Sequence, residues 1–132
     1  MIRIDPRDGT QIYRQVIDQV KLLVMSGQYT SGEQLESVSS LSARLKVNPM
    51  TISKAYGMLV SDGVAERRKG VGIFVAAISE KKADRERQQL LNASLKEAAG
   101  LVVQLKVSRQ EAITRFNGHI DHFEAKKGSK KS

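Results

Sequence analysis

Residues 48–54, Asn-Pro-Met-Thr-Ile-Ser-Lys, bring an amide, two hydroxyls and an ammonium into about two turns of a helix. These groups donate and accept hydrogen bonds but have no catalytic partner beside them, so they suit recognition better than bond-making. Asn48 is a favourable N-cap, and Pro49 fits the first helical position, where its missing N–H costs nothing. The spacing turns Ile52, Ala55, Tyr56 and Leu59 inward and leaves Thr51, Ser53 and Lys54 facing out. Such a helix either enters a major groove of DNA or is a capped surface helix with a few polar residues.

Three further groupings carry possible chemistry. Arg67, Arg68 and Lys69 precede a glycine-containing hairpin tip. They either reach phosphates or a minor groove, with Gly70 allowing close backbone approach, or form a solvated charged turn. Strand alternation points Arg67 away from Arg68's side. His119 and His122, with Asp121 between them, could share a zinc ion, but no distant third ligand cluster accompanies them. A surface or interface pair is the simpler expectation, and no metal or cofactor is expected. Met25 and Met58 read as core filling, while Met50 on the polar helix is placed to meet a thymine methyl. There is no cysteine, no nucleophile with a matching histidine and no phosphate-cradling glycine motif. An enzyme is not expected.

The chain must be folded so as to present these groups, and 132 residues suffice for one domain with an appendage. The net charge of +8 admits nucleic acid as a partner. Half of that excess lies in Lys126, Lys127, Lys130 and Lys131, read as a disordered basic tail over 126–132. No apolar run approaches the roughly 20 residues of a membrane span, and the N-terminus does not resemble a signal peptide. The expectation is a cytoplasmic protein without a membrane partner.

Apolar residues at helical spacing predict a first helix from Thr10 to Gly27, capped by Thr10 or Asp8, with QYTSGEQ as the turn that follows. A short helix over Ser37–Leu45 and the Asn48–Gly63 helix flank a brief turn at Lys46-Val47, forming a helix-turn-helix. VAERR and GIFVA around Lys69–Gly72 then predict a β-hairpin, so the domain over residues 1–77 is a winged helix-turn-helix. Overall the fold class is mostly α with one small hairpin.

The segment 78–125 reads as two helices for dimerisation. Leu91, Leu95, Ala98, Val102 and Leu105 make a heptad-like seam in a helix over 80–106, about 40 Å long at ~1.5 Å per residue. A groove for a ligand is the other reading of that seam. Ser108 and Glu111 form a capping-box pattern. The last helix carries Ile113, Phe116, Ile120 and Phe123 on one face, and a homodimer would cover both stripes.

The elements QIYRQVIDQVKLLVMSGQYTSGEQL, SVSSLSARLKVNPMTISKAYGMLVSDG and ERRKGVGIFV together resemble the DNA-binding domain of GntR-type bacterial transcription regulators. The likeness covers roughly residues 2 to 76. With only two helices after the wing, the chain looks like the YtrA-type subfamily, whose helical tail dimerises. The resemblance implies a homodimer on a palindromic operator, usually a repressor, often of transporter genes. It implies DNA contacts at Ser37, Ser39, Asn48, Met50, Thr51, Ser53, Lys54, Arg68, Lys69 and Gly70. A small-molecule effector is possible in such regulators.

One departure stands out. The family usually carries L-P-S-x-R before the second helix, where this chain has Leu35-Glu36-Ser37-Val38-Ser39. Serine cannot reproduce a bidentate arginine–guanine contact, worth ~1–3 kcal/mol of discrimination, and an outward Glu36 would repel phosphate. A winged-helix protein-interaction module with weakened DNA binding is therefore the alternative, and a nonspecific DNA-coating protein a third.

Overall fold

Each helix begins where its capping chemistry allows. In the computed structural model, which describes residues 2–5 and 11–129, the order is α1 (Ile12–Met25), α2 (Val38–Leu45), α3 (Pro49–Ser61), β1 (Ala65–Arg68), β2 (Gly72–Val75), α4 (Glu80–Gln104) and α5 (Arg109–Ser129). Ser37 caps α2 by accepting the N–H of Ser40 on its Oγ at 3.1 Å. Asn48 caps α3 by accepting the N–H of Met50 on Oδ1 at 2.8 Å. Between them Lys46 adopts the left-handed conformation, with φ of 59°. This closes the tight helix-turn-helix bend, and the Val47 N–H returns to the Ser42 carbonyl at 3.0 Å.

α1, α2 and α3 bury Val16, Ile17, Val20, Leu41, Ile52, Ala55 and Leu59 against Val64 of the turn before β1 and Val75 of the wing. β1 and β2 pair antiparallel from Ala65↔Val75 to Arg68↔Gly72. Gly70 closes the tip with φ of +76°. The segment expected as a simple turn before α2 also joins the wing. Gln34 bridges Phe74, and Leu35 donates its N–H to the Ile73 carbonyl at 2.8 Å.

Residues 2–5 had no assigned role in the sequence, yet they pack. Ile2 is 1% exposed. The Gln15 side chain accepts the Asp5 N–H at 2.7 Å and donates to the Asp5 carbonyl at 3.0 Å. Gln19 likewise accepts the Arg3 N–H at 2.6 Å. The N-cap of α1 is Gln11, without a side-chain bond; the expected caps Asp8 and Thr10 lie outside the described residues.

The chain divides into two compact units within α4, Met1–Leu90 and Leu91–Ser132. The first turns of α4, beyond the boundary expected after residue 77, are bonded to the winged domain. Ala83 is buried, and the Lys82 ammonium donates to the Asp62 carbonyl at the end of α3. Arg87 Nε donates to the Met25 carbonyl, at the end of α1, at 3.2 Å. Both cations meet the negative end of a helix macrodipole. Lys21 links Asp62 and Glu86 at 3.1 and 3.5 Å.

In the second unit α4 ends at Gln104, so Leu105 lies in the following turn rather than in the helix. Ser108 Oγ accepts the Glu111 N–H at 3.1 Å, while the Glu111 carboxylate reaches forward to Arg115 at 3.1 Å instead of back. α5 continues through Lys126 and Lys127. The tail expected from residue 126 is therefore helical there, its lysines complementing the helix C-terminus; Lys130 and Lys131 lie outside the described residues. No helix among the described residues is long and apolar enough to cross a membrane.

Gly57 sits inside α3 without positive φ, and a Cβ there would meet no atom within 4 Å. Gly57→Ala should therefore stabilise the fold by about 0.5–1 kcal/mol, read as a higher midpoint in urea denaturation.

Candidate nucleic-acid interface

The outward edge of α3 is less charged than its sequence suggests. Met50 is 77% exposed, Ser53 is exposed and Thr51 is half-buried on the flank. Lys54 is exposed too, but its Nζ lies 4.0 Å from the centroid of the Tyr13 ring on α1. This cation–π contact draws the ammonium toward α1. Asn48 uses its carbonyl oxygen as the helix cap.

At the start of α2, Ser37 and Ser39 place their hydroxyls 3.5 Å apart. Glu36 is not an outward, unpaired charge. Its carboxylate takes Arg44 Nη2 at 2.8 Å and Nε at 3.2 Å, and accepts the Ser40 hydroxyl at 2.8 Å. Arg44 Nη1 also donates to the Ile2 carbonyl at 3.1 Å. The buried Tyr56 hydroxyl donates to the Glu36 carbonyl at 2.7 Å. The Arg44 hydrogen bond, aided by Ser40 and by the arginine charge and opposed by burial, holds the Glu36 carboxyl below its ordinary value. Burial pushes the Tyr56 phenol up.

The two arginines of the wing have different surroundings. Arg68 lies 4.0 Å from the Phe74 ring centroid and pairs with Glu66 at 2.9 Å, so its guanidinium is engaged on the wing. Arg67 shares a strand face with Ala65, opposite Ile73. With Arg68, Lys69 and Gly70 it lines an open groove of about 390 Å³ whose other wall includes Ser37, Val38 and Tyr56. Arg67 and Lys69 form no ion pair among the described residues. Gln34 Nε2 donates to the Val71 carbonyl at 3.2 Å, bracing the tip. The structure thus gathers Ser37, Arg68, Lys69 and Gly70 around one groove together with Arg67. Alternation along β1 separates the two arginines, yet both line this groove, Arg68 with its guanidinium paired to Glu66.

In the second unit Ile113, Phe116, Ile120 and Phe123 are 53%, 47%, 41% and 66% exposed. Leu91, Leu95 and Leu105 are exposed as well, Ala98 is exposed, and Val102 is half-buried. Among the described residues no cluster of three metal-ligating side chains occurs; His119 and His122 line a shallow groove with Arg115 and Gly118.

The three-helix core, the bend between α2 and α3 and the braced hairpin define a winged helix-turn-helix domain. Residues 12–75 match the family of bacterial regulatory proteins called gntR, so this domain is of the GntR type. Over 76 residues it is 42% identical to the HTH-type transcriptional repressor YtrA of Bacillus subtilis, covering 58% of each chain. Against the uncharacterized regulator YhcF of the same organism it covers 57% of that protein, so it spans under two-thirds of these relatives. The structure of YtrA from Sulfolobus acidocaldarius, a GntR-family transcription factor, is 29% identical with a TM-score of 0.57, covering 75% of this chain and 97% of that one. The AraR DNA-binding domain in complex with operator ORX1 is 28% identical with a TM-score of 0.50, covering 56% of this chain and 92% of that one. These relatives are regulators, not enzymes.

The Glu36 contact has a pH signature. Because its native pKa is depressed, the stability it supplies is complete above its ordinary value of 4.5 and is lost as pH falls through the lowered one. Glu36→Gln should be less stable than the native chain at neutral pH, and the difference should shrink below about pH 4.5, as urea titrations at stepped pH would record.

Proposed function

We propose that the chain is a DNA-binding transcription regulator of the YtrA type, acting in the cytoplasm as a repressor on a palindromic operator. The observation that carries this reading is the groove between the wing and α2, where Arg67 and Lys69 face the capped helix start. Two unneutralised cations beside hydroxyls and a glycine tip match the chemistry of a phosphate backbone. With the wing on the backbone, the first turn of α3 is the part that enters the major groove. The operator complex of the AraR domain supports the same assignment by similarity.

A homodimer is part of the proposal. The α5 face of Ile113, Phe116, Ile120 and Phe123, with Leu91 and Leu95 on α4, leaves large apolar side chains uncovered within a single chain. Contiguous apolar surface of this kind is covered by a partner in soluble proteins. Two copies would place recognition helices in half-sites ~10 base pairs apart or a multiple of it. Transporter genes near its own are the expected targets.

A footprint on the DNA upstream of its gene tests the function: a protected, inverted-repeat site supports it, and binding no tighter than to random duplex removes it. Arg67→Ala and Lys69→Ala should each weaken binding across all sequences and reduce the salt slope by about 1, whereas Arg68→Ala should leave the slope close to native. Replacing Ile113 and Phe116 by glutamate should yield a monomer in sedimentation velocity; a monomeric native chain would refute the dimer.

A further inference from the structure

We infer that α3 reads thymine methyl groups through Met50, and that recognition by this helix proceeds without an arginine or lysine contact to guanine. The inference rests on the DNA-binding reading above and specifies which bases that site selects.

Three observations converge on it. Met50 stands 77% exposed in the first turn of the recognition helix, where a helix entering the major groove meets base edges. Its flexible, polarizable thioether adapts to small apolar targets, and in the major groove the thymine C5-methyl is such a target. The cations that pair with the O6 and N7 of guanine are meanwhile committed elsewhere. Lys54 sits over the Tyr13 ring, and Arg44 is shared between the Glu36 carboxylate and the Ile2 carbonyl. Ser39, at the start of α2, offers only a short hydroxyl, itself beside Ser37. What remains outward on α3 is Ser53, with Thr51 at the flank, and hydroxyls accept either base type. Selectivity therefore falls to the methyl contact, and the bases beneath the first turn of α3 should be thymine-rich.

The test uses the full chain. Selection from a random duplex pool defines the half-site, and fluorescence anisotropy follows binding to duplexes carrying single thymine-to-uracil replacements, which remove only the methyl. At one or more half-site positions uracil should weaken the native protein about fourfold, the worth of one buried methyl group. Met50→Ala should bind the thymine duplex about as weakly as the native protein binds the uracil one, and should no longer distinguish the two. Lys54→Ala should keep the uracil sensitivity. Uracil-insensitive binding at every position, or sensitivity that survives Met50→Ala, overturns the inference while leaving DNA binding intact. A pool that yields no enriched sequence overturns the functional reading and this inference with it.

Discussion

Glu36 is gripped at both ends, and the geometry of the winged domain depends on that grip. Its carboxylate holds Arg44, which in turn holds the carbonyl of Ile2, while its own carbonyl receives the Tyr56 hydroxyl. One residue thus ties the N-terminal segment, the start of α2 and the inner face of α3. The pair is partly exposed, with side chains 32% and 29% accessible, so solvent screens its charge and its worth lies mainly in orientation. Charge-assisted hydrogen bonds from a planar guanidinium fix direction as well as distance. α3 and the serines that open α2 are consequently set against each other by a shared anchor.

That anchor also reassigns the chain's positive charge. A net +8 looks generous for nucleic acid, but many cations act inside the molecule. Lys82 and Arg87 close helix ends, Lys21 joins two carboxylates, Arg68 stacks on Phe74 and Lys54 on Tyr13. Arg67 and Lys69 are left at the groove. Position, rather than total charge, singles out the face proposed to meet a polyanion.

Much of this was legible in the residues because it is local. Asn48-Pro49 and Ser37 mark helix starts through bonds two or three residues long, and the glycine tip marks the wing. Features made by distant bonds were not. Ile2–Asp5 is held by glutamine side chains ten and sixteen positions away, and glutamine on a helix face carries no signature of such a role. Likewise α4 looks from its sequence like a charged, free-standing helix, whereas Lys82 and Arg87 reach back 20 and 62 residues to find their carbonyls. The pairing of Arg68 with Phe74 and Glu66 turns on the strand register, and a run of three cations does not encode that.

The stack of Lys54 on Tyr13 has a bearing on how such a regulator diverges. Tyr13 belongs to α1, not to α3, yet its ring decides where the Lys54 ammonium rests. Loss of the ring would release a cation onto the outward edge of α3, giving the helix a guanine-seeking group it now withholds. If α3 reads DNA as proposed, operator preference can drift by a change at Tyr13, a residue outside that helix. A duplicated copy could acquire new target genes while every side chain of its recognition helix stayed the same.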